Sequence, residues 1–235
     1  MMIMSDQRIL ERRLHLNMTL LGGFMGGYAV LSHDDFFGSA QTTNMIALTI
    51  GAVSGPGSEW IARFVGLLIY IAGLASTVFI SHKLKPEQQK KFSIVLDAMV
   101  LFFVGFLPKN LDIIVATYPI FFATAFQWCS FKGADGFVSS SIFSTNNLRQ
   151  CVTGFTEYFY SHDTEALRRG IYFGKVLISF YFGVVLASFS CNSLGLKGSW
   201  PGILFTVTAF MLCYSHENAY EQEKNLFRQL QINKT

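Results

Sequence analysis

Apolar residues run through this chain in six long blocks, at 16–32, 61–82, 92–107, 111–131, 170–191 and 200–215. Each approaches or exceeds the ~17–25 residues with which a helix crosses a ~30 Å hydrocarbon layer. Two shorter, more polar stretches, 42–54 and 145–160, stand between them, and both open on one pattern. Thr42-Thr43-Asn44 is followed by Gly51, and Thr145-Asn146-Asn147 by Gly154, so a T-x-N-x6-G spacing occurs twice. Leu67-x-x-Tyr70-x-x-Gly73 likewise resembles Leu177-x-x-Phe180-x-x-Gly183. This reads as an internal duplication, and it predicts an all-α polytopic membrane protein of about six transmembrane helices plus two short, re-entrant ones.

The loop charges choose between six and eight crossings. Eight would put Lys83, Lys85, Lys90 and Lys91 on the side opposite Arg8, Arg12 and Arg13, against the rule that basic loops stay in the cytoplasm. With six, those residues join Lys132, Arg149, Arg168, Arg169, Lys224, Arg228 and Lys234 on one side, and only Arg63, Lys109 and Lys197 lie outside. Both termini are then cytoplasmic. The halves 1–108 and 109–235 hold three spans each, an odd number that inverts the second against the first. Two short, polar-headed segments in corresponding places of inverted halves point to a site where their tips meet near the midplane.

Composition narrows the class further. Hydrophobic residues make up 51% of the chain and charged ones 14%, too little polar surface for a soluble domain. The first fifteen residues carry three arginines and lack the apolar core of a cleaved signal peptide. Cys129, Cys151, Cys191 and Cys213 stand singly, as small buried hydrophobes do. The net charge of +3 is scattered, which leaves no nucleic-acid footprint. No Ser, Cys, His or acidic set has a recognised catalytic or metal-ligand spacing, so neither an enzyme nor a cofactor is expected.

The candidate chemistry is therefore sparse and polar. Thr42, Asn44, Thr145 and Asn147 offer hydroxyl and amide groups at the starts of the short segments, and Gln127 adds an amide near the end of its span. Helix capping explains the same residue types without any solute. Asp97 and Lys175 are ionisable groups inside apolar runs, each six residues past a basic cluster and so about 9 Å along its helix at ~1.5 Å per residue. Similar depth suggests an ion pair that couples or gates transport, since either charge alone costs roughly 2.5–3.5 kcal/mol to insert. Snorkelling of Lys175 to the headgroups is the alternative. Gly22, Gly23, Gly26 and Gly27 give the first span a small-residue face for close helix packing. Trp60, Tyr118, Trp128, Tyr172 and Trp200 read as interfacial belt residues. Asp34-Asp35 reads as a solvated loop or an outer cation vestibule.

Residues 131–149, FKGADGFVSSSIFSTNNLR, resemble the second-half signature of the YoaK-like family of uncharacterised bacterial integral membrane proteins, whose corresponding segment ends in T-G-N-L-R. Residues 22–28, GGFMGGY, and 36–44, FFGSAQTTN, resemble that family's G-x-x-D-A and F-x-x-x-x-T-G-N elements. The resemblance runs over essentially the whole chain and implies a protein of about six helices in the bacterial inner membrane, without a known activity. The chain departs from the pattern at Gly26, where an Asp is usual, at Thr43 and Asn146, where Gly is usual, and at Trp128, where an Asn is usual.

The expected function is a small-solute or ion permease or channel, its path running between the tips of the short segments, with the lipid bilayer as partner and homo-oligomerisation open. A non-transporting scaffold, a lipid-binding protein or a subunit of a larger complex is the alternative.

Overall fold

A computed structural model describes residues 2–32, 41–54, 58–108 and 111–232. His33, Asp34, Asp35, Lys109 and Lys234 lie outside them. The fold is all-α: α1 (Met2–Ser32), α2 (Gln41–Ser54), α3 (Ser58–Ser81), α4 (Pro86–Val104), α5 (Ile113–Ser130), α6 (Thr145–Ser161), α7 (Thr164–Leu194) and α8 (Gly202–Ile232). Between α5 and α6 two short strands, β1 (Gly133–Ala134) and β2 (Phe137–Val138), pair antiparallel. Both residues of the connecting turn, Asp135 and Gly136, have positive φ, the backbone a two-residue hairpin requires and the reason an Asp-Gly pair stands there.

Local signals set the helix ends. Asp112 accepts hydrogen bonds from the Ile114 and Val115 amides at 2.9 and 3.2 Å, and Asp163 accepts from the Glu165 amide at 3.0 Å, so α5 and α7 start at capping aspartates. α4 starts with Pro86 in its first turn, where the missing N–H costs nothing. α6 stops at His162, whose left-handed backbone turns the chain out of the helix.

Packing follows from one apolar stripe. Leu14, Met18, Leu21, Met25 and Tyr28 recur every three or four residues on α1 and are buried, so this helix is the hub. α1 packs on α7 and α8, α5 on α3 and α4, α2 on α3, α6 on α7, and α4 on α8. Exchanging α1 with α5, α2 with α6, α3 with α7 and α4 with α8 leaves this set of neighbours unchanged. The closest approaches are made by glycine. A Cβ on Gly183 would collide with the Leu20 carbonyl and lie 2.8 Å from the Phe24 nitrogen, while one on Gly73 would lie 2.8 Å from both the Phe122 carbonyl oxygen and the Ala125 Cβ. The two related glycines thus seat α7 on α1 and α3 on α5. Gly23 and Gly27 meet α7 from the other side, at the Phe180 carbonyl and at Val184 and Ala187.

Two stretches, Glu59–Ser81 and Thr164–Ser199, are long and apolar enough to cross a membrane, by length and composition. They contain the predicted blocks 61–82, short of its last residue, and 170–191. Large apolar side chains also cover much of the outside, among them Phe64, Phe79, Phe103, Ile178, Phe189, Leu204 and Met211.

Candidate functional site

The second T-x-N pattern does not cap α6. Ser144 is the N-cap, without a side-chain bond to the helix, and Thr145 and Asn147 lie in the first turn. Thr145 is exposed and Asn147 fully buried. The Asn147 amide turns back on the chain that precedes it, donating to the Ser140 and Phe143 carbonyls at 2.8 and 2.9 Å and accepting from the Ser140 N–H at 3.3 Å. Gln127, also fully buried, grips the same loop from α5, with its Nε2 donating to Ser141 Oγ at 3.0 Å and to the Met18 carbonyl of α1 at 2.9 Å. Gly22 makes room there, because a Cβ would strike the Ser141 backbone. Two residues predicted to meet a solute therefore meet at one loop, which they hold. Gln127 Oε1 keeps no partner.

In the first half, Thr42 is exposed and Asn44 buried, on the first turn of α2. Helix α2 lies on α3 and α6 on α7, with no comparable packing of the two short helices on each other among the described residues. The glycine that ends each pattern has a packing role: Gly51 faces Trp60 of α3, and Gly154 faces Gly170 and Ala166 of α7. The start of α6 opens on a cavity of about 460 Å³, walled by Thr145, Ser144, Gly26, Gly27, Tyr181 and Ser188 among others. Gly26, one of the positions that depart from the YoaK-like pattern, leaves part of that space.

The expected pairing of Asp97 with Lys175 is corrected. Asp97 is completely buried on α4, whose neighbours are α5 and α8, whereas Lys175 is exposed on α7. Equal depth along two helices does not bring side chains together when α4 packs on α5 and α8 while α7 packs on α1 and α6. Both Asp97 oxygens are without a hydrogen-bond partner, and so is Ser93 Oγ one turn earlier. The salt bridges found elsewhere, Arg12 with Asp135, Lys91 with Glu217, Arg168 with Glu165 and Arg169 with Glu157, lie outside that core.

A second buried polar cluster carries no sequence signal. His15 Nε2 lies 2.7 Å from Ser139 Oγ, which lies 2.8 Å from the Tyr172 hydroxyl, and that hydroxyl accepts the Ala134 N–H at 2.9 Å. Tyr172 is 3% exposed, so it is a core partner of the hairpin and not a belt residue. Burial, and then the charge of Lys90, push the His15 imidazole down to about 4. Outside the cluster, Arg12 holds Asp135 at 3.1 Å and Arg168 donates to the Asp135 carbonyl at 3.2 Å, clamping the hairpin between α1 and α7. Among the described residues, no three His, Cys, Asp or Glu side chains stand together as a metal site.

A family model described as a protein of unknown function (DUF1275) matches residues 14–212, which span α1 to α8 and both short helices. The chain belongs to the DUF1275 family. Within this DUF1275 member the matched stretch contains every candidate residue above, from His15 to Lys175. No curated protein and no solved structure matches the chain.

Proposed function

We propose that the chain is a polytopic integral membrane protein of the YoaK-like kind, a small-solute or ion permease of the bacterial cell membrane. In this reading the halves 1–108 and 109–235 are inverted repeats, and the termini are cytoplasmic. The exchange of helix partners between the halves, the matching glycine contacts of Gly73 and Gly183, and the apolar exterior all support it.

The observation that carries the transport reading is Asp97. A carboxyl group wholly out of water, with neither oxygen hydrogen-bonded, lowers stability without holding the fold together. Ionisable groups in such places mark ion and proton paths. Asp97 supplies an acceptor for a proton or cation moving with the solute, and the cavity at Thr145 is a waiting space beside the tip of α6. Asn147 favours the rival at its own position, since a scaffold needs the loop held and nothing more.

The test is flux through Asp97→Asn, an isosteric change, after an ion and metabolite uptake screen in overproducing cells has found a transported solute. In proteoliposomes the variant is expected to fold and to lose coupled flux. Flux equal to that of the parent protein, together with a stability gain, makes Asp97 a packing fault and sinks the reading.

A further inference from the structure

A second cavity, of about 520 Å³, lies away from the Thr145 cavity, at the joint of α1, α3, α4, α5 and the turn into β1. Its walls include Glu11, His15, Thr77, Lys90, Ser130 and Lys132. We infer that this cavity binds a phosphate-type oxyanion between the ammonium groups of Lys90 and Lys132 and a His15 Nδ1–H. The site goes beyond the transport reading, because binding there is measured without flux.

The tautomer of His15 follows from proton bookkeeping along its buried chain. Tyr172 oxygen already accepts the Ala134 N–H, so its own proton is placed only if it donates to Ser139 Oγ. The Ser139 proton then goes to His15 Nε2. That leaves the imidazole proton on Nδ1, which has no protein partner although His15 is 2% exposed. The reverse direction, with Nε2–H donating to Ser139, would strand the Tyr172 proton in a buried site. The same argument keeps His15 neutral, so it presents a donor without a charge.

On the other walls Gln89 Nε2 donates to Ser130 Oγ at 3.5 Å and keeps one neutral N–H, and the charged donors are the lysines. Thr77 and Ser130 hydroxyls donate to the carbonyls of Leu74 and Phe126, at 2.6 and 2.8 Å, and retain only acceptor capacity. Neither Lys90 nor Lys132 has a salt-bridge partner among the described residues, and together they outnumber Glu11 on the same wall. The volume falls within the ~300–1,000 Å³ of small-ligand sites. Two ammonium donors and an N–H suit the tetrahedral oxygens of a phosphate, which either a lipid headgroup or a soluble phosphate can bring.

The test uses the full chain in a phosphate-free alkyl maltoside detergent, read by thermal unfolding and by titration with inorganic phosphate, beside mixed micelles that contain phosphatidylglycerol. A rise in midpoint with phosphate assigns a soluble ligand, and a rise only with phosphatidylglycerol assigns a headgroup. In either case Lys90→Gln and Lys132→Gln are expected to weaken the effect by on the order of tenfold each. His15→Asn, whose amide nitrogen takes the place of Nδ1, should retain the response. His15→Gln, whose amide takes the place of Nε2, should lose it. No rise with either probe, or a full rise in both lysine variants, overturns the site. A full rise in His15→Gln overturns the Nδ1 donor, and should that variant fail to fold the lysine variants still decide.

Discussion

Replacing Gly183 by alanine tests the glycine seating of α7 on α1 against an internal control on the same helix. A Cβ at position 183 would overlap the Leu20 carbonyl oxygen and stand 2.8 Å from the Phe24 nitrogen and 3.0 Å from the Leu20 carbon. These are backbone atoms, which cannot rotate away, so the two helices must separate by roughly 1 Å. A gap of ~0.5–1 Å forfeits a quarter to a half of each dispersion contact along the seam, and overpacking of this kind costs about 1–3 kcal/mol. Gly174, nine residues earlier, would place its Cβ 3.7 Å from Cys151 Sγ, an ordinary contact. Gly174→Ala therefore collects the helix-propensity gain of up to ~1 kcal/mol without a clash. The propensity gain is common to both positions, so the two variants should differ by the overpacking cost of about 1–3 kcal/mol, which at ~2–4 °C per kcal/mol is roughly 2–12 °C in unfolding midpoint. The assay is thermal unfolding of both proteins in one detergent at one pH. Gly73→Ala should fall with Gly183→Ala, since it meets the Phe122 oxygen and Ala125 Cβ at 2.8 Å. Equal midpoints for Gly183→Ala and Gly174→Ala would show that α1 and α7 are not seated this closely.

Other consequences are measurable with the same preparations. Asn147→Ser should destabilise the protein by about 1–3 kcal/mol and expose 139–144 to protease, because it removes the donors from one buried and one half-buried carbonyl, while Thr145→Ala, at an exposed site, leaves stability unchanged; a silent Asn147→Ser contradicts the loop-holding role. His15, held down at about 4 against 6.5 when unfolded, stays neutral in the fold while the unfolded chain takes a proton, so its contribution is complete above pH 6.5 and is lost as pH falls towards 4. The stability difference between the parent protein and His15→Gln should shrink over that window, and a pH-independent difference refutes it. Reporter fusions after Lys85 and after Lys197 should report opposite sides of the membrane; the same side for both ends the six-span scheme.

Much of this architecture is legible in the sequence, and the part that is not has a common cause. The short helices Gln41–Ser54 and Thr145–Ser161 lie within a residue or so of the predicted 42–54 and 145–160, because Gly-Pro-Gly and Ser-His-Asp punctuation ends them locally. Helix α8 runs on to Ile232, past the predicted 215, since the polar tail of a helix carries no hydropathy signal. The hairpin turn carries a local mark in its Asp135-Gly136 pair, but strands of two residues each leave no periodicity to read. What the chain does not display is direction around a helix axis. Depth along α4 and α7 follows from counting residues, whereas the burial of Asp97 and the exposure of Lys175 depend on which helices become neighbours. The union of His15 with Ser139 and Tyr172 is likewise a product of assembly, with more than a hundred residues between its first two members.

The crossed partnership of the helices has a consequence for how the protein is made. Helix α1 rests on α7 and α8, and α3 on α5, so each half of the chain is completed by surfaces of the other. On a ribosome, the glycine face of α1 emerges early and stays uncovered until the residues of α7 have been synthesised. The nascent first half is an orphan for most of translation, dependent on the insertion machinery or a chaperone to shield it. A gene cut between residues 108 and 109 should then yield two fragments that are each degraded when made alone and rescue one another when made together.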